Sequence, residues 1–110
     1  MTTSTSTIPV NVMPAATARI AELGFQAQVE QMTDYARHHL PEVVRIEVVL
    51  NERYDMGGEP GIAIEAYGSR PFDPPDQTRS KLTRWQVDTF PAADLEQLCL
   101  TYLGGAAHAG

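Results

Sequence analysis

A single cysteine, Cys99, stands in a chain of 110 residues. No internal disulfide can form, and a reducing, cytoplasmic setting is the expectation. No apolar run approaches the ~18 residues needed to cross a bilayer. The opening Met1-Thr2-Thr3-Ser4-Thr5-Ser6-Thr7 lacks both the basic and the apolar segments of a secretory signal. Membrane contact is therefore not expected. Cations are also scarce: eight Lys and Arg against fourteen Asp and Glu give a net charge of -6. Phosphate backbones repel such a chain unless its cations cluster. Arg70, Arg79, Lys81 and Arg84 lie near one another, but Asp73 and Asp76 interrupt them. Direct nucleic-acid binding is not expected, and the charge selects a basic protein partner if it selects one at all.

Catalytic and metal motifs are missing as well. The histidines are His38, His39 and His108. Neighbouring helical residues point about 100° apart, so His38 and His39 cannot grip one ion from a regular helix. Cys-x-x-Cys, His-Glu-x-x-His and EF-hand spacings are absent. Glu52, Asp55 and Glu59 form an acidic loop that could attract a hard cation or simply be solvated. Ser69 follows a glycine without the Gly-x-Ser-x-Gly turn. Gly57-Gly58 precedes Glu59-Pro60 rather than a lysine and a helix, so it serves a turn. Cys99, beside Leu95, Leu98 and Tyr102 on an expected helix, is read as a core residue without a cationic neighbour to activate it. Glu47 and Glu65 can face each other across two strands, though Arg45 is an equally good neighbour for Glu65. No catalytic residue, no metal and no cofactor is assigned, and the residues point away from an enzyme.

What is present is pattern. With 43% hydrophobic and 20% charged residues, the composition is that of a globular domain rather than a disordered chain. In residues 43–50, Val44, Ile46, Val48 and Leu50 alternate with Arg45 and Glu47. Residues 62–67 repeat the period of two, setting Ile62, Ile64 and Ala66 against Glu65 and Tyr67. That alternation predicts an antiparallel pair with one dry face and one wet face. Phe25, Val29, Met32, Ala36 and Leu40 draw one helical stripe, closed by Pro41. Gly24 either caps a shorter helix opened by Pro14 or is tolerated within one long helix. In residues 82–90, Trp85, Val87 and Thr89 alternate with Arg84, Gln86 and Asp88 and favour a third strand, a helix through Leu82, Trp85 and Gln86 being the competing reading. Pro91 and Asp94 suit the start of a last helix with Leu95, Leu98, Cys99, Tyr102 and Leu103 on its apolar face, ended by Gly104-Gly105.

The expected fold is α+β: a two-layer sandwich of an N-terminal helix, either continuous or broken at Gly24, a three-stranded antiparallel meander and a C-terminal helix. Residues 1–12 are expected to be a flexible arm, 13–104 one domain and 105–110 a flexible tail. The pattern Arg45-Ile46-Glu47-Val48, then Gly58-Glu59-Pro60, then Trp85-x-Val87-x-Thr89-Phe90-Pro91 resembles a group of small stand-alone bacterial proteins of unassigned function. The resemblance spans about residues 20–103, implies one intact domain and carries no catalytic signature. The function expected from all this is a non-enzymatic protein-binding module, such as an antitoxin-like inhibitor or a small accessory subunit of a bacterial complex. Its candidate interaction surface comprises Arg45, Glu47, Val49, Glu65, Tyr67 and Trp85. The alternative is a small enzyme or ligand-binding protein with a pocket between the proline-rich loop 71–76 and the sheet. An acidic mimic of nucleic acid ranks third. The first strand is long and has no proline, so its edge is expected to be covered by a second copy, by another partner, or by the arm around Ile8 and Val12. A homodimer is the simplest of these.

Overall fold

Two strand–helix–helix–strand halves, joined by a hairpin, make up a computed structural model that describes residues 8–40, 42–51, 61–68 and 78–103. The first half is β1 (Val10–Val12), α1 (Pro14–Leu23), α2 (Gln26–His39) and β2 (Val43–Asn51). The second is β3 (Gly61–Gly68), α3 (Thr78–Thr89), α4 (Ala92–Leu95) and β4 (Leu98–Leu103). The four strands form one sheet in the order β1-β2-β3-β4. Its ladders are parallel, antiparallel and parallel in turn. The fold is α+β as expected, but a mixed four-stranded sheet replaces the three-stranded meander.

Local chemistry explains the first half. Pro14 occupies the first turn of α1, where a missing N–H costs nothing. Gly24 ends α1 in the left-handed conformation at φ 72°. Its N–H and that of Phe25 return to the carbonyls of Ala21 and Ile20, closing the last turn. One long helix is thereby excluded. The stripe of α2 packs as its spacing requires: Phe25, Met32, Ala36 and Leu40 are buried, with Val29 against them. Leu40 is extended, the geometry that a following proline imposes.

The second half corrects two expectations. Residues 82–90 are not a strand: they lie on α3 and its end, where Leu82, Gln86 and Phe90 turn inward while Val87 and Thr89 face solvent. The steps of four set the helix, and the alternation of Trp85, Val87 and Thr89 is coincidental. The expected last helix is a single turn, α4, followed by the strand β4. Leu98, Leu100 and Tyr102 are buried and alternate with Cys99, Thr101 and Leu103, and only Leu98 and Tyr102, four apart, fit helical spacing as well.

The core fills one face of the sheet. Ile46, Val48, Ile62, Ile64, Leu98 and Tyr102 lie under the helices, each no more than 1% exposed. Gly68 admits the Tyr102 ring, because a Cβ there would overlap its hydroxyl. Val44, expected in this layer, is instead 44% exposed, since the β2–β3 register shifts between Val43 and Arg45. Of the three covers expected for the edge of β2, a second copy, another partner or the arm around Ile8 to Val12, the arm is the one seen. Val10–Val12 adds beside β2 as β1, with Ile46 N–H donating to Pro9 O at 2.9 Å and Met13 N–H to Val48 O at 3.0 Å. Residues 1–7 and 104–110, the acidic loop with Glu52, Asp55 and Glu59, and the proline-rich loop 71–76 lie outside the described residues.

Candidate functional site

Among the described residues the second face of the sheet carries no helix, and the strand registers sort it into transverse rows. Arg45, Tyr67 and Leu103 form one row. Asn11, Glu47, Glu65 and Thr101 form the next, across all the strands. Val49, Ala63 and Cys99 form a third. The alternation that points Ile46, Val48, Ile62 and Ile64 into the core forces these side chains onto the opposite face. A polar row thus lies between an aromatic–cationic row and an apolar one.

At the centre, Glu47 and Glu65 are directly paired residues on neighbouring strands. Opposed like charges destabilise a sheet by a few tenths of a kcal/mol to about 1 kcal/mol. Two neighbours compensate. Arg45 Nε lies 3.1 Å from Glu47 Oε2, and the Arg45 guanidinium carbon sits 4.0 Å above the centre of the Tyr67 ring. The Tyr67 hydroxyl donates to Glu65 Oε1 at 2.8 Å. The contacts run Glu47–Arg45–Tyr67–Glu65, so both carboxylates are held from outside the pair. The Tyr67 phenol is pushed above its ordinary value of 10.0, first by burial and then by its bond to Glu65 and the charges of Glu65 and Glu47, with Arg45 opposing. At neutral pH Tyr67 is a neutral donor.

Of the residues expected at an interaction surface, Arg45, Glu47, Val49, Glu65 and Tyr67 are brought together here, all half-buried. Trp85 is not among them. It lies on α3 in the helical layer, its ring 4.0 Å from that of Tyr35 and edge-on to Phe90 at 5.4 Å. The strand expected over residues 82–90 is a helix, and on it Trp85 packs α3 against α2. Cys99 is corrected in the opposite sense. It is half-buried on the open face, in register with Ala63, not in the core. Asn11, Thr101 and Leu103 were missed because β1 and β4 were not read as strands; the alternation of Leu98, Leu100 and Tyr102 was the available signal.

Other expected sites gain nothing. Among the described residues, no group of three His, Cys, Asp or Glu side chains could hold a metal ion. His38 Nδ1 contacts Asp34 O at 2.9 Å, while the His39 ring stacks on Tyr35. No helix among the described residues is long and apolar enough to cross a membrane. The pocket expected beside loop 71–76 involves residues outside those described. Comparison of the chain with protein-family models, with curated proteins and with solved structures finds no match.

Proposed function

We propose that this chain is a non-enzymatic protein-binding module, an antitoxin-like inhibitor or small accessory subunit, that engages its partner through the open face of the sheet. The observation that carries this reading is the central cluster of Arg45, Glu47, Glu65 and Tyr67. Tyr and Arg are the residue types that dominate binding hot spots, and here they are held in place before any partner arrives. The flanking row of Val49, Ala63 and Cys99 supplies apolar contact area. A partner cation seated over Glu47 and Glu65 relieves the repulsion between them, and the chain's charge of -6 steers such a partner inward. The partner is accordingly a protein with a basic patch.

The test is isolation of the tagged chain with its bound proteins from its own host. The wild type is expected to retain a stoichiometric basic protein that Glu65→Lys and Tyr67→Ala lose. Gln28→Ala, on the helical layer, should retain it. Equal retention by all variants, or no bound protein at all, would overturn the proposal.

A further inference from the structure

The two outer strands occupy equivalent places, yet among the described residues only β4 has its free edge closed. On β4, the buried amide of Gln86 fills the edge as a strand would: Nε2 donates to Leu100 O at 2.9 Å and Oε1 accepts from Leu100 N–H at 2.9 Å. Arg79 Nε donates to Tyr102 O at 3.2 Å. On β1, the ladder to β2 uses Pro9, Asn11 and Met13. By the alternation of strand geometry, Val10 and Val12 therefore turn their N–H and C=O groups outward. Among the described residues nothing covers them.

We infer that β1 is the interface for a second copy of this chain, pairing antiparallel about a two-fold axis through Asn11. The register follows from the outward groups. With the axis at Asn11, Val10 of each copy exchanges both main-chain hydrogen bonds with Val12 of the other. An axis at Val12 would set Val10 opposite Pro14, which has no N–H. An axis at Val10 would set Val12 opposite Ile8, outside the strand. The two Asn11 side chains then meet on the open face, and a primary amide, being both donor and acceptor, complements itself.

Charge favours this occupant. Residues 8–18 contain no charged side chain in a chain that carries -6 overall. Two copies can meet here without the repulsion their other surfaces would bring, whereas edges kept apart usually display charge. The apolar side chains agree. Val12 and Met13 are 42% and 52% exposed, and Val12 lines a groove of about 330 Å³ with Ile20, Ala21 and Val29 beside the same edge. Pairing joins the two sheets into one and makes their open faces continuous across the axis. The inference stands apart from the partner proposed above, since its test needs only the pure chain.

Sedimentation of the pure protein at micromolar concentration is expected to show a dimer, with Asn11→Arg weakening association several-fold and leaving the thermal melt of the monomer unchanged. In a Cys99→Ser background, Asn11→Cys should oxidise to a disulfide-linked dimer, because the two positions face each other as a close, non-hydrogen-bonded pair. Asp88→Cys, exposed on α3, should not. A monomer at every concentration overturns the inference. So does a dimer that ignores Asn11→Arg and is not trapped by Asn11→Cys.

Discussion

The two halves of the chain share an element order and differ in how they are held. In each, two neighbouring parallel strands are connected through two helices. The first half relies on apolar spacing: Phe25, Met32, Ala36 and Leu40 lie on one stripe of α2 and settle on the sheet. The second half puts a glutamine into the layer. Gln86 is only 8% exposed, and it closes the edge of β4 with its amide. The comparison teaches that equal topology does not mean equal chemistry. One half is fixed by burial and, among the described residues, has nothing on its outer edge, while the other spends a core position on closing it.

The severest way to break the comparison is to charge the shared core. Ile46 in β2 and Leu100 in β4 belong to one contiguous cluster. Ile46→Asp or Leu100→Asp buries an unpaired carboxylate, at a cost of several kcal/mol per ion beyond the lost apolar burial. Each is expected to unfold both halves together, because a domain of this size holds only about 5–15 kcal/mol. Near-ultraviolet circular dichroism and thermal melts check it. Loss of one half with retention of the other would show that the cluster is divided.

Next in size is the edge closure itself. Gln86→Leu keeps the volume and removes both hydrogen bonds, stranding a buried N–H and a buried C=O of Leu100. At about 1–3 kcal/mol for each of the two unsatisfied groups, a loss of roughly 2–6 kcal/mol is expected in urea unfolding. The counterpart in α2, Gln28→Leu, gives up a single 3.5 Å contact to Asp94 and should change stability by less than about 0.5 kcal/mol. Similar losses from both would mean that the amide bonds to Leu100 contribute little.

This difference also governs what could be read in advance. The strand pair β2–β3 and the helix α2 were legible because their buried positions are occupied almost wholly by apolar residues. In α3 the inward positions are Leu82, Trp85, Gln86 and Phe90, so a polar residue broke the helical stripe and left the period of two more visible. In β4 Leu98 and Tyr102, four apart, satisfy helical spacing and strand alternation at once, with Cys99 agreeing only with the helix and Leu100 only with the strand, and length could not arbitrate. β1 was too short, at three residues, to have any period. The open face was legible on β2 and β3, where Arg45, Glu47, Val49, Glu65 and Tyr67 were named. It was illegible wherever the strand itself was missed, which misplaced Cys99, while the strand expected in place of α3 misplaced Trp85.

A smaller effect tests the helix break that distinguishes α1–α2. Gly24 has space around it, since a Cβ would meet no atom within 4 Å, so Gly24→Ala probes backbone strain alone. At φ 72° an L-residue costs about 1–2 kcal/mol. A loss near 1 kcal/mol in the urea midpoint is expected, and a gain would show that the two helices merge when allowed.

The hairpin between the halves adds a pH signature. Tyr67 is raised above 10.0 in the fold, so the folded chain keeps a phenol proton that the unfolded chain gives up earlier. Its contribution is complete below about pH 10 and is lost as pH rises through the folded value. The ultraviolet titration difference between the wild type and Tyr67→Phe should therefore lie above 10, and a difference centred below it would contradict the geometry.

The smallest effect falls on the same hairpin, where the halves meet through Arg45, Glu47, Glu65 and Tyr67. Glu47→Ala removes a half-exposed ion pair with Arg45, worth a few tenths of a kcal/mol to about 1 kcal/mol and screened by solvent. It also removes the like-charge opposition to Glu65, which is of similar size and opposite sign. The two nearly cancel, and a change within about 0.5 kcal/mol is expected. Arg45→Ala offers no such cancellation: it loses the ion pair and the contact over the Tyr67 ring, and it leaves Glu47 facing Glu65 without a cation. A loss of about 1 kcal/mol follows. Added salt should narrow the gap between the two variants, because the residual repulsion is exposed to solvent. Thermal melts at low and high ionic strength measure it. Equal losses from both substitutions, unmoved by salt, would show that the paired carboxylates do not repel and that the cluster is held by packing alone.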